Sequence, residues 1–414
     1  MDHLQKYNIL SSLQHGYRNT CSTETQLLRV IDLLAKGMDS SSQVDVISLD
    51  FARAFDVVPI ERLLLKMNYY GIRKLLPWFR DFLKNRKQRV VIEGTKSKLV
   101  EVLSGIAQGT RVAALCFLLF INDLPNSIIN SFGGLFCDDT LIAKKIDSQS
   151  DSLSLQHDLD QVHKWTEVWG MSFNVLKCFV MSVTNNRNPT VHDYQLNGKT
   201  LVKTESIKYL GITIDNKLTF KQHIEKKCHS ATTVLNMLRR NLYYAPKSVK
   251  SKAYTACVRP IVEYAASCWS PTSDKMKNKL EMVQHNAAKF VSNKYPRKGH
   301  YGEFSISELI SELEWDSLEE RREQLKLNMA YKILNGKVIL SPDSLPRVNH
   351  SRPTRGCNEV PVGANNQLIE PEARLITTSK TFYYSAPKLW NQKLTPEQAK
   401  APSIDAFKKM FHNH

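Results

Sequence analysis

Two adjacent aspartates, Asp138 and Asp139, separate two short apolar runs in residues 133–143, which read GGLFCDDTLIA. Apolar runs of this length favour strands, and an aspartate pair between them favours a tight turn because Asp is a common turn residue. The segment therefore predicts a hairpin with two carboxylates at its tip. A lone pair of this kind fits either a solvated turn or a metal site, and the rest of the chain must decide.

The charge balance of the chain indicates the class of partner. Its 414 residues include 57 Lys and Arg against 40 Asp and Glu, a net charge of +17. Hydrophobic residues make up 42% and charged residues 23%, which is typical of a globular protein with room for two or three domains. The positive excess favours a polyanionic partner, either nucleic acid or an acidic membrane face.

A membrane partner is the weaker of these alternatives. The longest apolar run, residues 112–121, is about half as long as a spanning helix and predicts a buried helix instead. The N-terminus lacks the layout of a secretory signal. The eight cysteines show no C-x-x-C spacing and no matching histidines, so we expect reduced thiols rather than a zinc site. A nuclear or cytoplasmic location without membrane contact follows as an expectation.

The first half of the chain mixes strand and helix patterns. Residues 45–51 predict a buried strand that ends at Asp50. Prolines at helix starts, glycines at helix ends and apolar periodicity predict the other elements. These are helices over 59–71, 77–85 and 150–169, a basic strand over 86–94 and a strand over 206–215.

The second half is predicted to be mostly helical. Residues 219–295 have the pattern of three basic helices, and residues 307–324 that of an acidic helix before a Pro-rich, irregular tail. An α+β catalytic domain followed by an all-α appendage is the architecture that this order favours. We place the predicted domain boundaries as follows: 1–215, 216–300 and 301–414, the last of unknown role.

Phosphoryl transfer would give the aspartate pair a chemical purpose. Two divalent cations can activate a hydroxyl, stabilise the leaving oxygen and bridge the phosphates. Mg²⁺ takes hard oxygen ligands, usually one or two of them protein carboxylates. Asp50, at the end of an apolar strand, is the evident third carboxylate, although a solvated turn residue would also fit there.

Five segments in order carry a resemblance to a known family. They are SLDFARAFDVVPIERLL (48–64), SGIAQGTRVAALCFLLFINDLP (104–125), FCDDTLIA (136–143), MSFNVLKCFVM (171–181) and YLGITID (209–215). Together they resemble the successive palm motifs of reverse transcriptases from non-LTR (LINE-type, jockey-like) retrotransposons. Two further segments resemble the end of that family's fingers and the helical region after the palm: LQHGYRNTCSTETQLL (13–28) and the stretch 240–271.

The resemblance implies a metal site. Asp50, Asp138 and Asp139 would hold two Mg²⁺ ions, with Mn²⁺ as a possible substitute, and the Phe51 carbonyl would assist. Lys177 lies where the family carries a lysine that protonates the leaving pyrophosphate. The alternatives are solvated turn residues for the aspartates and a solvated side chain for the lysine.

The resemblance also implies a nucleotide site. Phe55 matches an aromatic gate that clashes with a 2′-hydroxyl, Gln108 and Gly109 match a loop that lines the nucleotide and template, and Arg18 matches a triphosphate contact. Each has a plain alternative: a core phenylalanine, an ordinary turn and a surface arginine.

A primer site is the third implication. Tyr209, Leu210 and Gly211 match the family's primer-gripping hairpin, with an ordinary strand as the alternative. The basic segments 83–90 and 226–244 place cations beside aromatic or apolar residues, which suits phosphates and base or sugar faces.

One loop departs from the family's pattern. Ala107, Arg111, Ala113 and Ala114 replace its proline, apolar and Gly-Pro positions, which should relax the backbone that carries Gln108. The fingers segment that the family places before its QHGFR motif, and the family's endonuclease, are also expected to be absent, so the resemblance is to an N-terminally truncated element.

The sequence thus predicts a right-hand polymerase: an α+β palm with partial fingers, followed by an all-α thumb and a C-terminal helical region. The predicted activity is RNA-directed DNA synthesis, in which dNTPs are added to the 3′-hydroxyl of a DNA primer on an RNA template. The alternative is a catalytically inactive, transposon-derived nucleic-acid-binding protein.

Overall fold

The computed structural model of the chain divides into two compact units. The structure describes residues 2–294, 305–340, 344–345 and 367–410. The first unit comprises Met1–Gln26 and Ser41–Leu210, and the second comprises Leu27–Ser40 and Gly211–His414.

The first unit is built around strands. They are β1 (Gln43–Leu49), β2 (Lys87–Gln88), β3 (Val91–Ile92), β4 (Thr95–Lys96), β5 (Val100–Glu101), β6 (Phe132–Phe136), β7 (Asp139–Ile146), β8 (Phe179–Val183), β9 (Gln195–Leu196), β10 (Lys199–Thr200), β11 (Val202–Lys203) and β12 (Ser206–Tyr209). Its helical elements are α1 (Asp2–Lys6), the first turn of α2 (Thr23–Asp39), α3 (Ile60–Tyr69), α4 (Leu76–Leu83), α5 (Arg111–Phe120), α6 (Gln149–Trp169) and short 3₁₀ turns at Leu124–Ser127 and Val175–Lys177.

A five-stranded sheet with the order β11-β8-β1-β7-β6 forms the centre of the first unit. Strand β1 is antiparallel to both of its neighbours, β7 is antiparallel to β6, and β11 runs parallel to β8. Six of the seven residues of β1 are buried, as the apolar run over 45–51 predicts. A central strand that is covered on both faces has this pattern, because neither face meets water.

Helices α5 and α6 confirm two predictions from the sequence. The apolar run over 112–121 is the buried helix α5, in which Phe117–Phe120 are at most 1% exposed. Helix α6 turns its buried stripe toward the sheet, begins with a capping box between Ser148 and Asp151, and ends at Gly170, whose φ is +70°. Each end matches the residue type that such a cap requires.

A buried lysine joins three helical elements of this unit. Lys66 on α3 is 3% exposed, donates to the Phe120 carbonyl at 2.5 Å and pairs with the Asp123 carboxylate. Its ammonium also lies 3.6 Å from the Trp169 ring centroid. Burial lowers the pKa of Lys66 to about 8, and the carboxylate and ring faces stabilise the charged form.

Two of the predicted strands are interrupted. The basic strand expected over 86–94 is instead two separate two-residue strands, β2 and β3, which pair with different strands, β5 and β4. Glu93 and Gly94, both with positive φ, reverse the chain between β3 and β4. The strand expected over 206–215 is divided into β12 and β13 (Ile212–Asp215) at Leu210 and Gly211, which have φ values of 45° and 80°. Left-handed backbone cannot continue a strand.

The second unit is largely helical. It contains β13, the remainder of α2, α7 (Lys221–Asn241), α8 (Lys247–Ala253), a π-helical turn (Tyr254–Val258), α9 (Arg259–Glu263), α10 (Asp274–Ser292), α11 (Ile306–Glu312), α12 (Leu318–Leu334), α13 (Ile376–Ser379), α14 (Phe382–Lys393), α15 (Pro396–Ala399) and α16 (Ile404–Lys409). Elements α8 and α9 are continuous through the π-helical turn, so the three predicted basic helical segments are present.

Two expectations for the second unit were wrong. The acidic helix predicted over 307–324 is broken into α11 and α12, because Glu314 has a φ of 53° and Ser317 starts a new helix through a capping box with Glu320. The tail predicted to be irregular carries four short helices between residues 376 and 409. Residues 341–343 and 346–366 of that tail lie outside the described residues.

The structure also bears on the membrane and cysteine expectations. Among the described residues, no helix has both the length and the apolar composition needed to cross a membrane. Free thiols in the same ranges, as expected for reduced cysteines, include Cys116, Cys137, Cys178, Cys228 and Cys257. Cys357 lies outside the described residues.

Candidate active site

The register of the central sheet brings the three predicted carboxylates to one edge. Leu49, the last residue of β1, pairs with Thr140 of β7. Asp50 directly follows Leu49 and Asp139 directly precedes Thr140, so both aspartates lie at this edge of the sheet. Cys137 and Asp138 form the two-residue turn between Phe136 and Asp139, which themselves pair. The predicted hairpin is present, and its tip lies beside the end of β1.

The pKa of Asp139 reflects its neighbouring carboxylates. Removal of surrounding water, followed by repulsion from Asp138 and Asp50, raises the pKa of Asp139 to about 6, and Lys208 opposes the rise. The Asp139 side chain is solvent-accessible, and 42% of the Asp50 side chain is exposed. The edge of the sheet therefore carries several negative charges that raise one another's energy but remain open to a ligand.

A divalent cation is the ligand that this donor set fits. Carboxylate oxygens are the hard ligands that Mg²⁺ and Mn²⁺ prefer, and a cation would relieve the repulsion that raises the pKa of Asp139. Across the described ranges, no three His, Cys, Asp or Glu side chains are close enough to hold a metal as they stand. The donors fit in kind and charge, and their side chains would have to converge on the ion.

Two lysines flank the carboxylates. Lys177 ends a 3₁₀ turn, and its Nζ lies 3.8 Å from Asp50 Oδ2 with 66% of the side chain exposed. Lys208 is exposed on β12 and close enough to Asp139 to oppose the rise in its pKa. Sequence reasoning missed Lys208, although strand alternation places it on the face opposite Ile207 and Tyr209.

The segment after α6 fixes the end of β1 from the other side. Asn174 donates its backbone N–H to the Asp50 carbonyl at 2.8 Å, and Ala52 donates to the Ser172 carbonyl at 2.9 Å. Phe51, expected to offer its carbonyl to a metal, is 6% exposed, and its ring lies 4.4 Å from that of Phe173. This packing holds the backbone of Asp50 and Phe51 rigid.

A buried glutamine holds the turn of the hairpin, and sequence reasoning missed it. Gln14 is 1% exposed, and its Oε1 accepts from the backbone N–H of Cys137 at 2.9 Å and of Gly16 at 2.7 Å. Its Nε2 donates to the Cys137 carbonyl at 3.4 Å. One side-chain amide therefore satisfies both backbone groups of Cys137, whose φ of 58° is uncommon for a non-glycine residue.

Gly16 allows this close approach. A Cβ at Gly16 would lie 2.5 Å from the Cys137 backbone nitrogen, so any side chain there would push the turn away. Burial, with the Asp138 carboxylate next to it, raises the pKa of the Cys137 thiol to about 12, and the thiol stays protonated. The signal for both Gln14 and Gly16 was the segment 13–28, which the sequence analysis singled out only for its resemblance and for Arg18.

The predicted nucleotide-site residues share one cavity of about 970 Å³, lined by Arg18, Phe55, Gln108 and Gly109 together with Tyr17 and the start of α5. Phe55 is half-buried and stacks on Phe117 with ring centroids 4.6 Å apart. Gln108 donates to Asp56 at 3.0 Å, and Gly109 has a φ of +88°.

Arg18 is held by the backbone at the rim of this cavity. Its Nη1 donates to the Ser11 carbonyl at 2.6 Å and the Gln14 carbonyl at 3.3 Å. The guanidinium thus reinforces the segment that carries Gln14, and it remains only half-buried. A contact with a triphosphate stays a prediction for Arg18.

Two of the three residues predicted to grip a primer have buried side chains, and neither side chain is exposed beside the carboxylates. Tyr209 is 2% exposed, and its hydroxyl accepts from Gln26 Nε2 at 3.2 Å and donates to the Gly134 carbonyl at 3.4 Å. Leu210 is 8% exposed, and Gly211 completes the left-handed pair that follows β12. Any primer contact at these residues would therefore use backbone atoms.

Comparisons with known proteins match the chain to one family. The family model described as reverse transcriptase (RNA-dependent DNA polymerase) matches residues 1–214. The RNA-directed DNA polymerase from mobile element jockey of Drosophila melanogaster is 26% identical over 296 residues, covering 68% of this chain and 32% of that protein. Its counterpart from Drosophila funebris is 27% identical over 299 residues, covering 68% and 32%.

Two further comparisons are more distant. The probable RNA-directed DNA polymerase from transposon BS of Drosophila melanogaster is 24% identical over 313 residues, covering 70% of this chain and 34% of that protein. A telomerase structure from Candida albicans covers 76% of this chain and 57% of its own, at 11% identity and a TM-score of 0.42. The chain spans about one third of the length of the curated relatives it matches.

Proposed function

The chain belongs to the reverse transcriptase (RNA-dependent DNA polymerase) family, and we propose that it extends a DNA primer on an RNA template at the edge of its central sheet. The observation that carries the proposal is the register that sets Asp50 beside the Asp138–Asp139 hairpin. In this proposal residues 1–215 are the palm with partial fingers, 216–300 the thumb, and the location is nuclear or cytoplasmic.

We propose that Asp50, Asp138 and Asp139 hold the two divalent cations of the reaction. Bound there, Mg²⁺ would stabilise the charge that develops on the phosphate oxygens during phosphoryl transfer. The protein's own contribution is to keep three carboxylates together despite their repulsion, through the sheet register and the Gln14 contacts with the turn. Bound cations would offset the repulsion among the carboxylates, and the carboxylates would supply the negative charge that binds the cations.

The cavity beside Phe55 is the proposed nucleotide site. Its wall of aromatic and small side chains suits a base and a sugar, and Phe55 would exclude a 2′-hydroxyl by size. Lys177 is the proposed proton donor to the leaving pyrophosphate. Its Nζ lies 3.8 Å from Asp50 Oδ2, and its exposed ammonium is free to turn toward the phosphates of a bound nucleotide. The proposed partners are therefore dNTPs, an RNA template and a DNA primer.

Primer extension on poly(rA)/oligo(dT) tests the proposal. We expect Mg²⁺-dependent incorporation of dTTP by the full chain and a loss of at least two orders of magnitude in Asp138→Ala, because the metal-binding charge is removed. Asp147→Ala is the matched control, since this carboxylate lies beyond the other end of β7 and pairs with Lys145. Equal incorporation by Asp138→Ala and the parent would refute the assigned site.

One specific observation favours a second candidate, a nucleic-acid-binding protein without catalysis. Ala107 in the loop before α5, and Ala113 and Ala114 in the first turn of α5, stand where the resemblance leads one to expect proline and Gly-Pro, and Gln108 donates to Asp56. Retained primer–template binding without any incorporation by the parent, with Mg²⁺ or Mn²⁺, would establish this alternative.

A further inference from the structure

Helix α12 of the second unit carries a buried arginine with one guanidinium nitrogen that has no hydrogen-bond partner in the described residues. Arg322 is 4% exposed, and its Nη2 is fully buried and unsatisfied within the described part of the chain. A guanidinium removed from water without acceptors is strongly unfavourable, and a buried group in this state calls for a ligand or bound solvent.

A second buried cation lies one helical turn further along α12. Lys326 is also 4% exposed, and its Nζ donates to the Lys380 carbonyl at 3.0 Å and to Ser385 Oγ at 2.7 Å. Both acceptors are uncharged, and an ammonium has three donors. Burial, and then the positive charges of Lys380 and Arg322, lower the pKa of Lys326 to about 7.

Both cations line one cavity of about 580 Å³. Three more lysines complete its basic lining: Lys277, Lys380 and Lys388. The cavity also has acidic lining residues, namely Glu319, Glu323, Glu370 and Glu372.

Most of these carboxylates are already engaged with other groups. Glu319 pairs with Lys277 at 2.7 Å, Glu323 pairs with Lys393, and Glu370 accepts from Asn391 Nδ2 at 2.9 Å.

The positive charge of Arg322 is compensated by carboxylates at a distance rather than by a carboxylate in contact with it. Glu281 and Glu319 oppose the fall that burial causes in the pKa of Arg322, but Glu281 accepts from the first backbone N–H groups of α12, at Leu318 and Glu319. No carboxylate of the described residues lies within 4.0 Å of the Arg322 guanidinium, the distance of an ion pair. The guanidinium is therefore free to take an anion from the cavity.

We propose that this cavity is a phosphate-binding pocket in which Arg322 and Lys326 contact the phosphate oxygens. A phosphate offers several acceptors to the planar arginine fork and one to the remaining lysine donor. Water could fill the space but would bring no negative charge to the Arg322 guanidinium. The pocket lies wholly within the second unit, and this inference does not depend on the proposed polymerase activity.

Inorganic phosphate is the first probe. At constant ionic strength, phosphate should raise the melting temperature of the full chain in a saturable manner, whereas chloride should not. Arg322→Gln should weaken phosphate binding at least tenfold, because it removes the fork. Lys337→Gln is the matched control, since it removes one positive charge from the exposed end of the same segment. An equal response of parent and Arg322→Gln, or no response beyond that of chloride, would overturn the proposal.

A second measurement avoids the risk that Arg322→Gln fails to fold. Burial lowers the pKa of Lys326 and a bound anion should raise it again, so the parent should take up protons when it binds sulfate, a phosphate-like dianion that does not itself titrate near pH 7. Calorimetry in two buffers with different ionisation enthalpies measures this uptake. Sulfate binding without proton uptake at any pH between 6 and 9 would exclude Lys326 from the pocket and overturn the assignment.

A further experiment distinguishes a nucleic-acid backbone from free phosphate as the ligand of the pocket. If the pocket holds a nucleic-acid backbone, an oligo(dT) strand should compete with inorganic phosphate, and Arg322→Gln should weaken its binding while Lys337→Gln should not. If only free phosphate binds, oligo(dT) should not compete. Either result supports the pocket and identifies which phosphate it takes.

Discussion

Replacing Gln14 by alanine should loosen the turn that carries Asp138 without unfolding the first unit. The glutamine amide satisfies the N–H and the carbonyl of Cys137 and the N–H of Gly16, and it is 1% exposed. No other side chain donates to or accepts from the Cys137 backbone in the described structure. The substitution therefore leaves a left-handed residue without its support.

The size of the effect follows from these contacts. A buried polar group that loses its partner costs about 1–3 kcal/mol, and water entering the space left by the side chain offsets part of that cost. With the N–H groups of Cys137 and Gly16 both deprived of their acceptor, we expect Gln14→Ala to lower the free energy of unfolding by about 2–4 kcal/mol. Urea denaturation measures the loss.

A double-mutant cycle with Cys137→Gly separates support of the turn from ordinary packing. Left-handed backbone costs an L-residue about 1–2 kcal/mol and costs glycine almost nothing. The parent bears this cost in full because Gln14 holds the turn, whereas a turn loosened by Gln14→Ala can leave the left-handed conformation. Cys137→Gly should therefore be less favourable in the Gln14→Ala protein than in the parent, by about 1 kcal/mol. Gln26→Ala is the matched control, because this buried amide contacts Tyr209 instead, and its cost should be independent of Cys137.

Catalysis supplies an independent measurement. If the turn positions Asp138, Gln14→Ala should lower kcat for primer extension much more than it changes KM for dTTP, and Cys137→Gly should restore part of kcat. An additive cycle with no recovery of kcat would refute the reasoning that Gln14 holds the Cys137 backbone in place.

Three other predictions concern charge and size. The pKa of Asp139 is raised to about 6 in the folded state, so the cost of its charge is present above pH 6 and disappears as the pH falls toward 4. Asp139→Asn should therefore stabilise the protein at pH 7, by at most about 1 kcal/mol after allowance for solvent screening, and should not stabilise it at pH 4. Urea denaturation measures both effects, and equal effects at the two pH values would contradict the prediction. Phe55→Val should raise ribonucleotide incorporation relative to deoxyribonucleotide, and unchanged discrimination in an active enzyme would show that Phe55 is only packed against Phe117. Replacing the exposed Lys87 and Arg89 by glutamine should reduce the dependence of primer–template affinity on salt concentration, whereas a parent affinity that is independent of salt would argue against nucleic-acid binding.

Local sequence signals were sufficient for most elements of the first unit. The apolar run that ends at Asp50, the aspartate pair between two strands and the helix that Gly170 ends are all present where they were predicted. These signals are local, because strand period, turn residues and helix caps depend on a few neighbouring residues. The prediction that the three carboxylates form one site came from the resemblance of five ordered motifs to one family, because no local signal links Asp50 to Asp138 and Asp139.

Other features depended on the tertiary structure. Leu210 and Glu314 adopt positive φ although nothing in their residue type requires it, so the strand break at Leu210 and the helix break at Glu314 could not be assigned from these residues themselves. Neighbouring contacts and turns impose such a conformation on a non-glycine residue.

The most distant contacts were also beyond sequence reasoning. Gln14 meets Cys137 across 123 residues, and only the sheet that brings the N-terminal segment to the hairpin makes that contact. Arg322 belongs to a run of charged residues that predicts a solvated helix face, yet packing of the second unit buries its guanidinium beside a cavity. Periodicity shows which residues share a face, whereas the partner of that face is decided by how distant segments pack.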